Sequence, residues 1–69
     1  PAVNGLVDAL RDDYHKVRAG AAEALGKFDY SKVSDGIVEK VVNGLVGALK
    51  DKNDLVRGGA AEALGKFDY

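Results

Sequence analysis

The chain has 69 residues, no cysteine, a single histidine and a formal net charge of −1. Without cysteine, neither disulfides nor thiolate metal sites can staple so short a fold, and one histidine leaves no Cys/His cluster for a structural zinc. The balance of acidic and basic residues removes the field that would draw the chain to nucleic acid or an anionic membrane, and no apolar run approaches the roughly 20 residues of a membrane span.

In chain order, Ala2 to Arg11 carries Val3, Leu6, Val7 and Leu10 at the spacing of one helix face. Asp12-Asp13-Tyr14-His15 is a short polar break. The second pattern sets Val17, Ala21, Ala24, Leu25 and Phe28 on one side and Arg18, Glu23 and Lys27 on the other. Glu23 and Lys27 stand four apart in the favourable orientation for a weak pair, and Gly26 is placed to act as a left-handed cap or fraying point. Phe28 to Asp35 is the one long connection, after which Ser34 or Asp35 should cap a third helix running to about Lys50. Its stripe of Ile37, Val38, Val41, Val42, Leu45, Val46 and Leu49 is broad enough to touch two neighbours. Asp51-Lys52-Asn53-Asp54 breaks it, and a fourth helix from Leu55 to about Gly65 points Val56, Ala60, Ala63, Leu64 and Phe67 inward. The pattern predicts an all-α chain of four helices in two hairpins.

Residues 42–69 repeat residues 3–30 at a constant offset of 39. Of the 28 aligned positions 21 are identical and 7 differ. A period in the range of about 20–50 residues is the signature of stacked repeats, which divides the chain into residues 1–30, with a shortened first helix, and residues 31–69. Glycines fall inside the helices at Gly5, Gly20, Gly44, Gly47, Gly58 and Gly59, each costing about 1 kcal/mol against alanine. For Gly5 and Gly44 the expected compensation is close helix packing, with a blank surface position as the alternative.

Leu6-Val7-x-Ala9-Leu10-x-Asp12 followed by Val17-Arg18-x-x-Ala21-Ala22-Glu23-Ala24-Leu25-Gly26, and the same pattern from Leu45 to Gly65, resembles the HEAT-like repeat named after the phycobilisome lyases. The resemblance covers nearly the whole chain. It implies an α-solenoid fragment of two helix-hairpin repeats in a right-handed stack. It also implies a ladder between adjacent repeats, whose positions are held here by Asp12, Arg18, Asp51 and Arg57. Physical chemistry asks for such a pairing in any case, because an arginine opening a helix faces the positive end of the helix dipole and needs a carboxylate or free carbonyls.

Catalytic patterns are sparse. Deoxyhypusine hydroxylases, built from this repeat, carry iron-binding His-Glu pairs directly after the Val-Arg, whereas this chain has Ala19-Gly20 and Gly58-Gly59 there, with no donor side chains. His15 sits in a polar turn without an orienting partner, no serine joins a His/Asp arrangement, and the acidic pairs in the turns read as helix caps. Each second helix offers one arginine, one glutamate and one lysine and no interleaved aromatic, which argues against nucleic acid. Phe28, Tyr30, Phe67 and Tyr69 are expected to plug the long connection or the next repeat, with an aromatic contact patch as the alternative.

These features point to a non-catalytic structural or interaction module without cofactor or metal. Pro1 opens the chain and Asp8 interrupts the first apolar stretch, which speaks against a signal peptide, so the expected setting is the cytoplasm. The near-identity of the copies and the lack of Met, Trp and Cys suggest a designed or engineered array; a natural scaffold binding another protein along its second-helix face is the alternative. About three repeats are usually needed to bury the hydrophobic faces of such a stack. Self-association is therefore expected through Val3, Leu6, Val7 and Leu10 at the start and Val56, Ala60, Leu64 and Phe67 at the end, as a homo-oligomer with a dimer favoured over a ring.

Overall fold

The computed structural model describes residues 2–67, which form four helices: α1 (Ala2–Ala9), α2 (His15–Lys27), α3 (Asp35–Ala48) and α4 (Asp54–Leu64). Among the described residues there is no strand. α1 and α2 make one hairpin, α3 and α4 the other. The hairpins stack with α2 broadly against α4 and α1 more lightly against α3, giving two layers of helices.

The first helix of each hairpin ends slightly earlier than its apolar pattern suggests. After Ala9 the N–H groups of Leu10, Arg11 and Asp12 donate to the carbonyls of Val7, Asp8 and Ala9, three residues back rather than four, and Lys50 and Asp51 do the same at the end of α3. Tightening the last turn in this way satisfies carbonyls that the helix end would leave free, and it carries Asp12 and Asp51 into the turns. The second helices are capped differently in the two copies. Asn53 accepts from the N–H of Leu55 at 2.9 Å at the head of α4, whereas Tyr14, at the head of α2, makes no side-chain cap bond. Ser34 caps α3 by accepting from the N–H of Ile37.

Val3, Leu10, Ala22, Leu25, Val41, Leu45, Val56 and Ala60 are buried in one continuous core. Four of these correct the sequence reading. Val3, Leu10, Val56 and Ala60 were expected on the outer ends, but each is used up inside the pair of hairpins. The stripe that marks a helix face also serves the contact within a hairpin and the contact between hairpins, so apolar spacing alone does not say which neighbour it meets. The converse correction is Val17, expected inward, which is 39% exposed while its equivalent Val56 is 0% exposed.

Two glycine expectations change as well. Gly26 lies inside α2 and takes no left-handed conformation; a β-carbon there would stand 3.1 Å from Cα and Cβ of Ala63, so its role is close approach of α2 to α4. At Gly44 a β-carbon would stand 3.1 Å from Leu10 Cδ1, the close packing expected of it. A β-carbon on Gly5, at the equivalent place, would meet nothing within 4 Å among the described residues.

Candidate functional site

The polar centre of the molecule lies where the two turns meet. Arg18, in the first turn of α2, is buried. Its Nε donates to Asp51 Oδ2 at 2.7 Å and its Nη2 to Asp51 Oδ1 at 3.2 Å, a two-pronged pairing of guanidinium and carboxylate. The remaining Nη1 donates to the carbonyls of Asp12 at 2.8 Å and Asp13 at 3.0 Å. One side chain thus closes the turn of its own hairpin and holds the turn of the next. Asp51 also accepts from the N–H of Asn53 at 2.9 Å. The Arg18 hydrogen bond, seconded by that from Asn53, holds the Asp51 carboxyl below the ordinary aspartate range.

Asp12 and Arg57, the other two ladder positions, each show half of this arrangement. Arg57 donates from Nη1 to the carbonyl of Asp51 at 2.7 Å, as Arg18 does to that of Asp12, but it is exposed, and among the described residues no carboxylate pairs with it. Asp12 accepts from the N–H of Tyr14 at 2.9 Å, as Asp51 does from Asn53, and among the described residues no arginine side chain reaches its carboxylate. The structure therefore joins Arg18 with Asp51 and leaves Asp12 and Arg57 at opposite ends of the stack.

Of the remaining residues singled out for association, Leu6, Val7, Leu64 and Phe67 are half-buried and packed against the core. Apolar residues that sequence reasoning did not single out stand open instead. Leu49 is 38% exposed where its equivalent Leu10 is 7% exposed, and Val46 is exposed where Val7 is half-buried. Ala61 is exposed where Ala22 is buried. The signal available in the sequence was the width of the α3 stripe: most of it is buried or half-buried, and Val46 and Leu49 form the exposed edge.

The aromatic residues of the connection pack together. The ring of Tyr30 lies 5.2 Å from that of Phe28 and 4.9 Å from that of Phe67, and its hydroxyl donates to the carbonyl of Leu25 at 2.6 Å. Burial raises the Tyr30 pKa. This cluster plugs the space beside the connection; Tyr69 lies outside the described residues. Between α2 and α4 runs a shallow groove floored by Gly20, Gly58 and Gly59, bordered by Glu23 and Glu62, with Leu55 exposed on its rim. His15 stacks edge-on with Tyr14 at 5.3 Å, outside this groove.

Residues 3–69 match the family of HEAT repeats. The chain belongs to the HEAT-repeat family. No curated protein and no solved structure matches it. HEAT repeats are in general helical modules for protein interaction, and this chain is a helical-repeat module of that kind, four helices in two stacked hairpins. Among the described residues no helix is long and apolar enough to cross a membrane.

Proposed function

We infer that this HEAT-repeat chain is a non-catalytic interaction module that associates with further copies of itself. The observation that carries the reading is the unequal cover of equivalent residues: Leu49, Val46 and Ala61 are exposed where Leu10, Val7 and Ala22 are packed by a neighbouring hairpin. Each exposed residue has a covered twin, so the chain itself displays the kind of surface that fits there. The non-catalytic part is supported by Ala19-Gly20 and Gly58-Gly59, positions that offer no side-chain donor. The Asp–Arg pairing between adjacent turns supports a finer kinship with the phycobilisome-lyase type of HEAT repeat. An engineered or recently duplicated array fits the 21 identical positions in 28, and a longer reading frame with divergent repeats would count against it. Light scattering of the chain at rising concentration tests the main reading: a mass above that of one chain supports it, and a single-chain mass throughout overturns it.

A second reading is favoured by Leu55, 65% exposed beside the groove between α2 and α4, where the first copy has Lys16. An apolar residue on that rim suits another protein lying along the second-helix face. Leu55 remains exposed where α2 and α4 meet, so the contact between hairpins does not cover it. Leu55→Lys should abolish capture of such a partner while leaving self-association unchanged.

A further inference from the structure

The two ends of the molecule are the two halves of its own internal interface. Within the chain, the first hairpin offers Arg18, Ala22 and Leu10, and the second receives them at Asp51, Gly59 and Gly44. A β-carbon on Gly59 would stand 3.4 Å from Ala22 Cβ, and one on Gly44 would stand 3.1 Å from Leu10 Cδ1, so both glycines are seats for a neighbour's side chain. Moving each residue along by the repeat offset of 39 gives the end face of the stack, Arg57, Ala61 and Leu49, all of them exposed. Moving each receiver back by the same offset gives the start face, Asp12, Gly20 and Gly5, also exposed. Gly5 and Gly20 meet nothing within 4 Å among the described residues, and Asp12 lacks the arginine that its equivalent Asp51 holds.

We propose that the end face of one chain docks onto the start face of a second copy, repeating the internal hairpin-to-hairpin contact, with Arg57 paired to the Asp12 carboxylate of that copy, Leu49 seated at its Gly5 and Ala61 at its Gly20. The proposal rests on the self-association reading above and names its geometry. Charge decides between the possible arrangements. Only end on start brings Arg57 to Asp12; end on end leaves Asp12 out of the contact, and start on start leaves Arg57 out. Val17, whose equivalent Val56 is fully buried, is covered by the same movement. The contact is heterologous, so repetition builds a ring if the rotation closes and a filament if it does not. The symmetric dimer expected from the sequence relied in part on Val3, Leu10, Val56 and Ala60, which lie in the core.

The test uses the full chain in sedimentation velocity from about 1 μM to about 1 mM, a range that brackets ordinary weak protein association. Arg57→Asp and Asp12→Arg each place like charges across the proposed contact, and each should weaken association by about tenfold or more. Mixed in equal amounts, the two variants should associate again, because each retains one unaltered face and the altered faces match one another with signs reversed. Gly5→Leu fills the proposed seat and should abolish association. All three residues are exposed, and Asp12 and Arg57 bond only backbone groups of the turns, so far-UV circular dichroism at low concentration should remain close to that of the parent. Association of the parent that neither charge variant alters overturns the end-on-start geometry and leaves self-association standing. A parent that sediments as one chain at every concentration overturns both.

Discussion

Arg18 and Arg57 occupy the same position in two nearly identical segments, preceded by the same valine and followed, two residues on, by the same Ala-Ala-Glu-Ala-Leu-Gly, yet they live in different surroundings. Arg18 is buried, with its guanidinium shared between the Asp51 carboxylate and the carbonyls of Asp12 and Asp13. Arg57 is exposed and, among the described residues, bonds the carbonyl of Asp51 alone. The difference comes from place in the stack and not from local sequence: a third hairpin would supply to Arg57 what the second supplies to Arg18. The same contrast separates Leu10 from Leu49, Gly44 from Gly5 and Val56 from Val17. An inner contact and a pair of open faces made of the same residues provide internal controls for one another.

The largest separation should come from paired truncations in the apolar layer, measured by urea unfolding at low micromolar concentration so that association does not intrude. Leu10→Ala should cost about 2–5 kcal/mol, the range for a buried leucine. Leu49→Ala, at the equivalent exposed position, should cost under about 1 kcal/mol, as expected of surface substitutions. Equal losses at the two sites would show that Leu49 is covered in the single chain.

The arginine pair comes next. Arg18→Leu removes hydrogen bonds to a carboxylate and to two carbonyls and should cost about 1.5–3 kcal/mol, while Arg57→Leu should cost under about 1 kcal/mol. Similar costs would mean that the pairing with Asp51 contributes nothing beyond closure of the turn. Gly44→Leu should then destabilise by about 1–3 kcal/mol, because the new side chain is forced against Leu10. Gly5→Ala, with open space around it, should instead raise the melting temperature, since glycine inside a helix costs about 1 kcal/mol against alanine.

The smallest effect is in the acid limb of the pH profile. Asp51 is held below the ordinary aspartate value of about 3.9 by Arg18 and Asn53, so its contribution is fully present above that value and is lost as pH falls through the depressed native pKa. The melting temperature should therefore drop more steeply in this acid region for the parent chain than for Asp51→Asn. Superposition of the Asp51→Asn profile on that of the parent would rule out the linkage.

Much of this molecule was legible in its residues. The 39-residue offset, the 3.6-residue apolar spacing and the polar breaks at Asp12–His15 and Asp51–Asp54 specify four helices in two hairpins, since each depends on neighbours within one or two turns of chain. Asp51 and Arg18 stood out from the resemblance to HEAT-like repeats and from the need of an arginine at a helix start for an acceptor.

Which copy of each residue is covered was decided only by the tertiary structure. Val17 and Val56 hold the same place in the same helical pattern, so periodicity could not tell that one is buried and the other 39% exposed. Gly26, readable as a helix stop, is a point of contact with Ala63 because α2 runs on past it and lies against α4. Periodicity says that a helix has an apolar side; the direction and rotation of the stack say which part of that side meets a neighbour. Those quantities arise from contacts between residues far apart in the chain, and a residue repeated unchanged in both copies carries no mark of its own position in the stack.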